Sequence, residues 1–593
     1  MSYPSTPSIS AERTEARWEA FRAKLTKLPM RWVVLFSVVG LVVLAFLMRC
    51  LHLFDSNHYY ILSPDSYFFH WLSNRVMAGQ GPPPDAPAGA LSTLHTGLSY
   101  PLAYIAKAAE HVFGVSPPNA LHSVSMFLSP ILAVISMVLI YLFAARICDR
   151  RVAFFSAFAW ALMLWPIALG SSGFLDRDGL SMLLLTTGAF QFYLSDIWHF
   201  KIGGRDMGWL IASIGVLVTE ALLYVEWGVA GPALLLAVIA AYCVGRFLVE
   251  YLEHTETEPG TVRRLGAAMS KVNWRSFGLI IGATALVAGA NFHLASSGFE
   301  QLISIVKPSG GSISEEEGLG LPDLTSYQFF LIPMVLGFYV AWKRRAQSSI
   351  FFSSWFLILF VLAIVAKRVL LYASPAACLL SGVGLAFLWD WARRRSLHTW
   401  ARRGPLHMWK KVALAVLLCV TVALAFSSAY SLASTAVMAP DREWQGALAY
   451  LREETPKDSV VMSQWTWGYW ILDLGQRKPL IDNGYYGYDP GRLRDVGLAY
   501  STADPAEAAQ AMKKWGADYL VFSKLDLNVA TTIIAWANVG KGLSNFPDNS
   551  LVMRCIRGEF ESGGGLEVVY RSPPEPNSKS PSEPEVVILG LTQ

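Results

Sequence analysis

The chain is short of charge, of cysteine and of repeats, and each shortage removes a class of protein. Only 16% of its 593 residues are charged while 53% are hydrophobic, and the mean hydropathy is +0.38. That balance suits neither an ordinary soluble domain nor a disordered chain. Of six cysteines, Cys50, Cys243, Cys378 and Cys419 lie in or beside apolar runs, Cys148 lies in a basic loop and Cys555 stands alone near the end. No disulfide framework and no zinc spacing follows. No internal repeat is found. The first apolar run follows about thirty polar residues and has no small-residue cleavage site after it, so the N-terminus is expected to stay as an anchor. The net charge of +4 is spread over several loops, a pattern that membrane sidedness explains without a nucleic-acid partner.

What is present in quantity is apolar sequence. Runs long enough to cross a bilayer lie near Trp32–Met48, Leu121–Ala145, Val152–Gly170, Leu180–Trp198, Trp209–Val225, Gly228–Val249, Phe277–Ala295, Tyr327–Trp342, Ile350–Ala366, Val369–Trp391 and Val412–Leu432. The fold class expected is a polytopic α-helical membrane domain of about 11 to 13 transmembrane helices, followed by a C-terminal α/β soluble domain. Lys and Arg concentrate in the N-terminal tail and at 146–151, 201–205, 246–275, 343–345 and 393–411. By the positive-inside rule those segments are cytoplasmic. Loops 52–118, 171–179 and 297–326, and everything after about residue 434, then face outward. The domains expected are a cytoplasmic tail (1–31), a multi-span domain (32–437), an α/β domain (438–571) and a disordered Pro-, Ser- and Glu-rich tail (572–593).

Several outward positions carry chemistry. Asp65, in Ser63-Pro-Asp-Ser-Tyr-Phe-Phe-His70, reads either as a helix N-cap or as a carboxylate offered to a ligand. An amphipathic stretch, Tyr100–Phe113, is expected to lie along the membrane face. The short loop Gly173–Gly179 sets Asp176 and Asp178 one residue apart. They either form a solvated turn with Arg177 or converge on one hard cation such as Mg²⁺ or Mn²⁺. The Gly- and Ser-rich loop 301–326 holds Glu315, Glu316 and Glu317, which are either a solvated face or the source of a third carboxylate. Lys367 and Arg368 sit at an outer membrane edge, where cations are disfavoured. They either snorkel or grip phosphate oxygens.

Beyond residue 438 the pattern becomes mixed α/β. Helices are expected at Asp441–Glu453 and Pro505–Trp515, and strands at Ser459–Met462, Tyr519–Phe522, Leu551–Ile556 and Leu566–Tyr570. At the end of the first strand, Ser463–Trp470 clusters three indoles and a phenol around one glycine. It is either the core of a small domain or a functional turn on a rigid base.

Taken together, Pro-Asp65-Ser-Tyr-Phe, Asp176-Arg-Asp178, Ser312-Ile-Ser-Glu315, Arg368 with Tyr372-Ala373 and Pro375, and Trp465–Trp470 stand in an order that resembles the catalytic subunits of oligosaccharyltransferases, chiefly the single-subunit bacterial and archaeal enzymes. The resemblance covers nearly the whole chain. It implies a metal-dependent, inverting transfer of an oligosaccharide from a polyprenyl pyrophosphate carrier to Asn of an Asn-X-Ser/Thr sequon. The partners implied are that carrier, an acceptor polypeptide and membrane lipid, with one subunit acting alone. The setting implied is a bacterial inner membrane with the site and C-terminal domain periplasmic.

The same resemblance makes Asp65, Asp176 and Glu315 ligands of Mn²⁺ or Mg²⁺, with Asp178 supporting them. Asp65 and Glu315 would also hold the acceptor amide, and Arg368 and Tyr372 the pyrophosphate. The family's Trp-Trp-Asp-Tyr-Gly signature, which reads the sequon hydroxyl, falls on Gln464-Trp465-Thr466-Trp467-Gly468, where the carboxylate is missing. Asn528 and Thr531 fall on a neighbouring helical motif and complete the expected acceptor-binding set. Between Glu315 and Gln328 there is no Arg or Lys, so no acidic residue is expected to be required ahead of the acceptor Asn. The altered signature keeps open another polyprenyl-phosphate-dependent glycosyltransferase with a different acceptor, and a non-catalytic protein that binds or transports lipid-linked sugars.

Overall fold

The structure, a computed structural model, describes residues 30–54, 61, 63–80, 97–197, 201–202, 205–227, 230–254, 261–290, 327, 330–364, 367–394, 416, 419–428, 430–431, 439–482, 489–537, 545–573 and 585–592. The N-terminal tail up to residue 29 and the whole 297–326 loop with Glu315 lie outside the described residues.

The first two thirds are helical. In order come α1 (Met30–Arg49), α2 (Pro64–Met77), α3 (Ser99–Phe113), α4 (Pro117–Ile147), α5 (Arg150–Leu162), α6 (Leu164–Leu169) and α7 (Arg177–Ile197). After a two-strand hairpin of β1 (Lys201–Ile202) and β2 (Arg205–Asp206) follow α8 (Gly208–Trp227), α9 (Ala230–His254), α10 (Thr261–Lys271), α11 (Trp274–Ala290), α12 (Leu331–Arg344), α13 (Gln347–Ala363) and α14 (Ser374–Arg394). Three segments among the described residues, Pro117–Ile147, Gly231–His254 and Val369–Trp391, are long and apolar enough to cross a bilayer. Small residues let the helices close: a Cβ at Gly337 would strike the backbone of Leu380, and one at Gly384 that of Pro333, the close approach that apolar helices use when water does not drive their packing.

The expected span Val152–Gly170 is broken. Met163 is extended (φ −73, ψ 134), which separates α5 from α6. Pro166 accounts for the break, because its ring and missing N–H oppose helix through the preceding turn.

The C-terminal part carries α15 (Arg442–Glu454), β3 (Val460–Met462), α16 (Gly468–Asp473), β4 (Lys478–Pro479), α17 (Pro490–Ser501), α18 (Pro505–Trp515), β5 (Tyr519–Ser523), α19 (Ala530–Ala537), α20 (Leu551–Ile556), β6 (Ser562–Gly563), β7 (Leu566–Arg571) and β8 (Val586–Leu591). The strands form one sheet in the order β4-β3-β5-β8-β7-β6, parallel among β4, β3 and β5 and antiparallel beyond.

Two expectations are corrected in this part. The tail 572–593, expected to be disordered, supplies β8, which pairs with both β5 and β7. Its run Val586-Val-Ile-Leu-Gly-Leu591 is strongly strand-forming, but the Pro, Ser and Glu around it dominate any average over the segment. Leu551–Ile556 is helix, not strand; its buried residues Leu551, Val552, Cys555 and Ile556 recur on a helical face, which so short an apolar run does not distinguish from a strand by composition.

Alternation along the strands divides the apolar residues between two cores. Met462, Leu520, Phe522, Val587 and Leu589 face the domain's own core with α17 and α18. Val461, Val521, Val586 and Ile588 face the other way, into a core shared with Trp444, Leu448, Trp467 and Trp470, with Tyr67, Phe68, Phe69 and Leu72 of α2, and with Leu175. The second core joins the sheet to the loops of the helical part.

Candidate functional site

Asp65 is set by the start of α2. Ser63 takes a left-handed φ of 72 and Pro64 is the first helical residue, so Asp65 falls in the first turn and is not the N-cap. Pro is pre-organised for that place, and a carboxylate there is favoured by the helix dipole. Asp65 is half-buried, while Tyr67, Phe68, Phe69 and Leu72 anchor the helix in the shared core.

The loop after α6 is strapped to its neighbours. The Ser172 N–H donates to the Arg49 carbonyl and the Gly173 N–H to the Met126 carbonyl, both at 2.9 Å; the Ser129 hydroxyl donates to the Phe174 carbonyl at 2.6 Å. Gly173 has φ 76, a conformation that costs glycine little. Held this way, Asp176 and Asp178 are buried (8% and 3% exposed), unlike a solvated turn. Leu175, next to Asp176, lies in the shared core together with Tyr67 and Phe68 of α2. Asp178 sits in the first turn of α7.

Across the molecule, Lys367–Ala373 forms a 3-10 turn ahead of α14, pinned where the Tyr327 hydroxyl donates to the Leu370 carbonyl at 2.8 Å. From this turn the buried Tyr372 hydroxyl donates to Asp178 Oδ1 at 2.8 Å, bridging 194 residues. Arg368 lies four residues earlier in the same turn. The phenolic proton is donated to the Asp178 carboxylate in this arrangement.

The aromatic turn occupies a topological switch. β3 and β5 are adjacent and parallel, and the chain leaves their carboxyl ends toward opposite faces, β3 into α16 and β5 into the 3-10 turn Lys524–Val529 and then α19. In α/β sheets such a divergence opens a crevice at the carboxyl edge. Gln464–Gly468 follows β3 at this edge, and the exposed Asn528 and Thr531 follow β5. Trp465 and Trp536 pack across it with ring centroids 4.7 Å apart.

Burial sorts the expected acceptor residues. Trp465 and Thr466 are half-exposed. Gln464 and Trp467 are 1% and 2% exposed and turned inward. Gln464 Oε1 accepts from the Thr466 N–H at 2.8 Å, and its amide also hydrogen-bonds Asp526. Trp467 packs at a tilt against Trp444 and Trp470, each with ring centroids 4.8 Å apart.

Asp526 is a buried carboxyl beside the aromatic turn that sequence reading did not single out. It accepts from Trp467 Nε1 at 2.6 Å and from the Ser523 N–H at 2.7 Å, closing a capping box at the end of β5. The Ser-X-X-Asp pattern after an apolar strand was its available signal. Burial pushes its carboxyl up to about 7, against the pull of hydrogen bonds from Ser523, Trp467, Gln464 and Tyr500. A carboxyl raised on folding stabilises fully below its ordinary range near pH 4, and that stabilisation falls as pH climbs to about 7. Thermal melts of the purified protein at pH 5, 6 and 7 should therefore decline more steeply in the wild type than in Asp526→Asn. The difference should approach about 1.4 kcal/mol per pH unit; parallel declines would remove the assignment.

α2, which carries Asp65, Leu175 ahead of Asp176, and the aromatic turn thus share one core, while Tyr372 lies in the core of the helical part. The carboxylate set is all oxygen, which suits a hard divalent cation. Among the described residues no three His, Cys, Asp or Glu side chains gather closely enough to hold a metal; Glu315 lies outside them.

No protein-family model matches the chain. The rice dolichyl-diphosphooligosaccharide–protein glycosyltransferase subunit STT3B is 26% identical over 228 residues, 32% of this chain and 31% of that protein. The dolichyl-phosphooligosaccharide-protein glycotransferase 2 of Pyrococcus furiosus is 26% identical over 184 residues, 30% of this chain and 20% of that protein. The matches therefore span a third or less of those relatives. Over the whole fold, the archaeal oligosaccharyltransferase AglB from Archaeoglobus fulgidus, solved in complex with an inhibitory peptide and a dolichol-phosphate, superposes with a TM-score of 0.70 at 16% identity, covering 93% of this chain and 81% of that one. An Archaeoglobus fulgidus oligosaccharyltransferase in complex with Zn and sulfate gives a TM-score of 0.62 at 15% identity, covering 90% and 79%. Over 93% of its length the chain has the fold of an archaeal oligosaccharyltransferase, and over about a third of it the sequence resembles dolichyl-linked oligosaccharide–protein glycosyltransferases.

Proposed function

We propose that this protein is an oligosaccharyltransferase that moves an oligosaccharide from a polyprenyl pyrophosphate carrier to the side-chain nitrogen of Asn in an Asn-X-Ser/Thr sequon, with inversion at the sugar carbon. It works as a single subunit with about 11 to 13 spans in a bacterial inner membrane, its site and C-terminal domain facing the periplasm. The observation that carries the reading is the shared core, in which the helix of Asp65, the loop of Asp176 and Asp178 and the aromatic turn meet.

An amide nitrogen is a poor nucleophile because resonance occupies its lone pair. Carboxylates that accept both N–H bonds favour a twisted amide and free that lone pair, the role assigned to Asp65 and Glu315. The C1–O bond to the pyrophosphate breaks, a C1–N bond forms and the amide gives up one proton to a carboxylate that accepts its N–H bond. Arg368 offers paired donors to the departing pyrophosphate. Asp65, Asp176, Asp178 and Glu315 would hold Mn²⁺ or Mg²⁺, and a bound cation would offset the leaving group's charge. Tyr372 orients Asp178. Trp465, Thr466, Asn528 and Thr531 face the acceptor, with Gln464, Trp467 and Gly468 as the frame behind them.

A second reading, the same donor with a different acceptor, is favoured by one observation: the Gln464 amide is spent inside the fold, leaving Thr466 where the resembling family has a carboxylate. Transfer from extracted lipid-linked oligosaccharide with Mn²⁺, to Asn-X-Thr, Asn-X-Ser and Asn-X-Ala peptides, separates the two. Glycosylation that follows the hydroxyl, stops with chelator and ignores an acidic residue ahead of the Asn is the result expected. A carrier consumed with no Asn peptide modified would favour the second reading.

A further inference from the structure

His70 Nδ1 and Asp473 Oδ2 lie 3.0 Å apart, joining positions 403 residues distant. His70 belongs to α2 and Asp473 ends α16. Each stands five residues beyond a candidate site residue on its own helix, Asp65 and Gly468 respectively. Five residues are about 7.5 Å of helix and about 140° of turn, so the pair lies behind the site. Between pair and site the two helices interlock through Tyr67 on Trp470, edge to face at 6.3 Å, and Phe68 on Tyr469 at 5.1 Å.

We infer that His70 and Asp473 are positioning residues, an ionic strut between α2 and α16 that sets the aromatic turn over the helix carrying Asp65. The inference deepens the proposed function and rests on it. The strut borders a cavity of about 400 Å³ lined also by Tyr67, His122, Gln445 and Arg452. Burial favours the neutral ring, but the charge and hydrogen bond of Asp473 outweigh it, so His70 titrates above its ordinary value. The other titratable groups facing the cavity are Tyr67 of α2, His122 of α4 and Arg452 of α15. A histidine raised by its partner holds its contribution below the ordinary imidazole range and loses it as pH rises through the raised value. The strut is therefore closed at pH 6 and released in alkali.

The test compares wild type, His70→Gln, Asp473→Asn and the exchanged pair His70→Asp/Asp473→His in detergent. Hydrogen exchange of the 465–473 amides, corrected for intrinsic rates, is read at pH 6 and pH 9, and KM for an Asn-X-Thr peptide and for the carrier at pH 6. In the wild type, protection should fall about tenfold from pH 6 to pH 9. Each single variant should be equally unprotected at both pH values and should raise peptide KM about tenfold with carrier KM within twofold. The exchanged pair should recover most of both. Wild-type protection and pH response in His70→Gln would overturn the strut, as would peptide and carrier constants moving together without rescue by the exchange. Absence of transfer in the wild type with the exchange pattern intact would overturn the proposed function and leave the strut standing.

Discussion

Replacing Asp65 by Asn lowers transfer to an Asn-X-Thr peptide by about a thousandfold while moving the melting temperature little. The size follows from removing charge at the reacting centre: one lost electrostatic contact to a transition state costs on the order of a hundred- to a thousandfold, and Asp65 is assigned two roles. The stability side follows from its position. Asp65 is half-buried in the first turn of α2, where a carboxylate is worth about 0.3–1 kcal/mol against the helix dipole. Asp178 would be a poorer test, since it is 3% exposed and takes the Tyr372 hydroxyl, and truncating it strands a buried donor. Initial rates for wild type and Asp65→Asn, with melts on the same preparations, decide the matter. A variant keeping more than a tenth of wild-type rate would remove Asp65 from the chemistry.

The residues that could be assigned from sequence are those whose signal is local. Pro505–Trp515 is helical over the expected span, with Pro at its start and Gly516 (φ 67) closing it, the asymmetry that marks helix ends. Val460–Met462 is a strand and the aromatic turn follows it, because a short apolar run bounded by a turn is readable without partners. The pairings were not readable. Tyr372 with Asp178, Trp467 with Asp526 and His70 with Asp473 span 194, 59 and 403 residues, and no periodicity in one chain reports such contacts. The inward turn of Gln464 was hidden for the same reason: its Oε1 accepts locally from the Thr466 N–H, but the Asp526 carboxylate that accepts from its amide arrives only once β3 and β5 are neighbours.

Gly468→Ala should be among the most damaging single-methyl changes in the C-terminal domain. A Cβ there would come within 2.4 Å of the Ile481 carbonyl oxygen and 2.6 Å of the Asp482 Cα. Both are backbone, so no side-chain rotation relieves the clash, and overpacking of this kind costs about 1–3 kcal/mol, at times more. The strain has one soft outlet, a shift of α16 away from the segment after β4. That shift would pull Trp467 off Trp444 and Asp526, where it is now fixed by a 4.8 Å ring contact and a 2.6 Å hydrogen bond, and Tyr469 and Trp470 off α2. The variant should therefore lose about 3 kcal/mol of stability and raise peptide KM well above that of His70→Gln, since it displaces the turn itself and not its strut. Gly468→Ala melting and turning over like the wild type would mean that the aromatic turn is not seated against the 481–482 backbone, and the placement of the acceptor wall would fall with it.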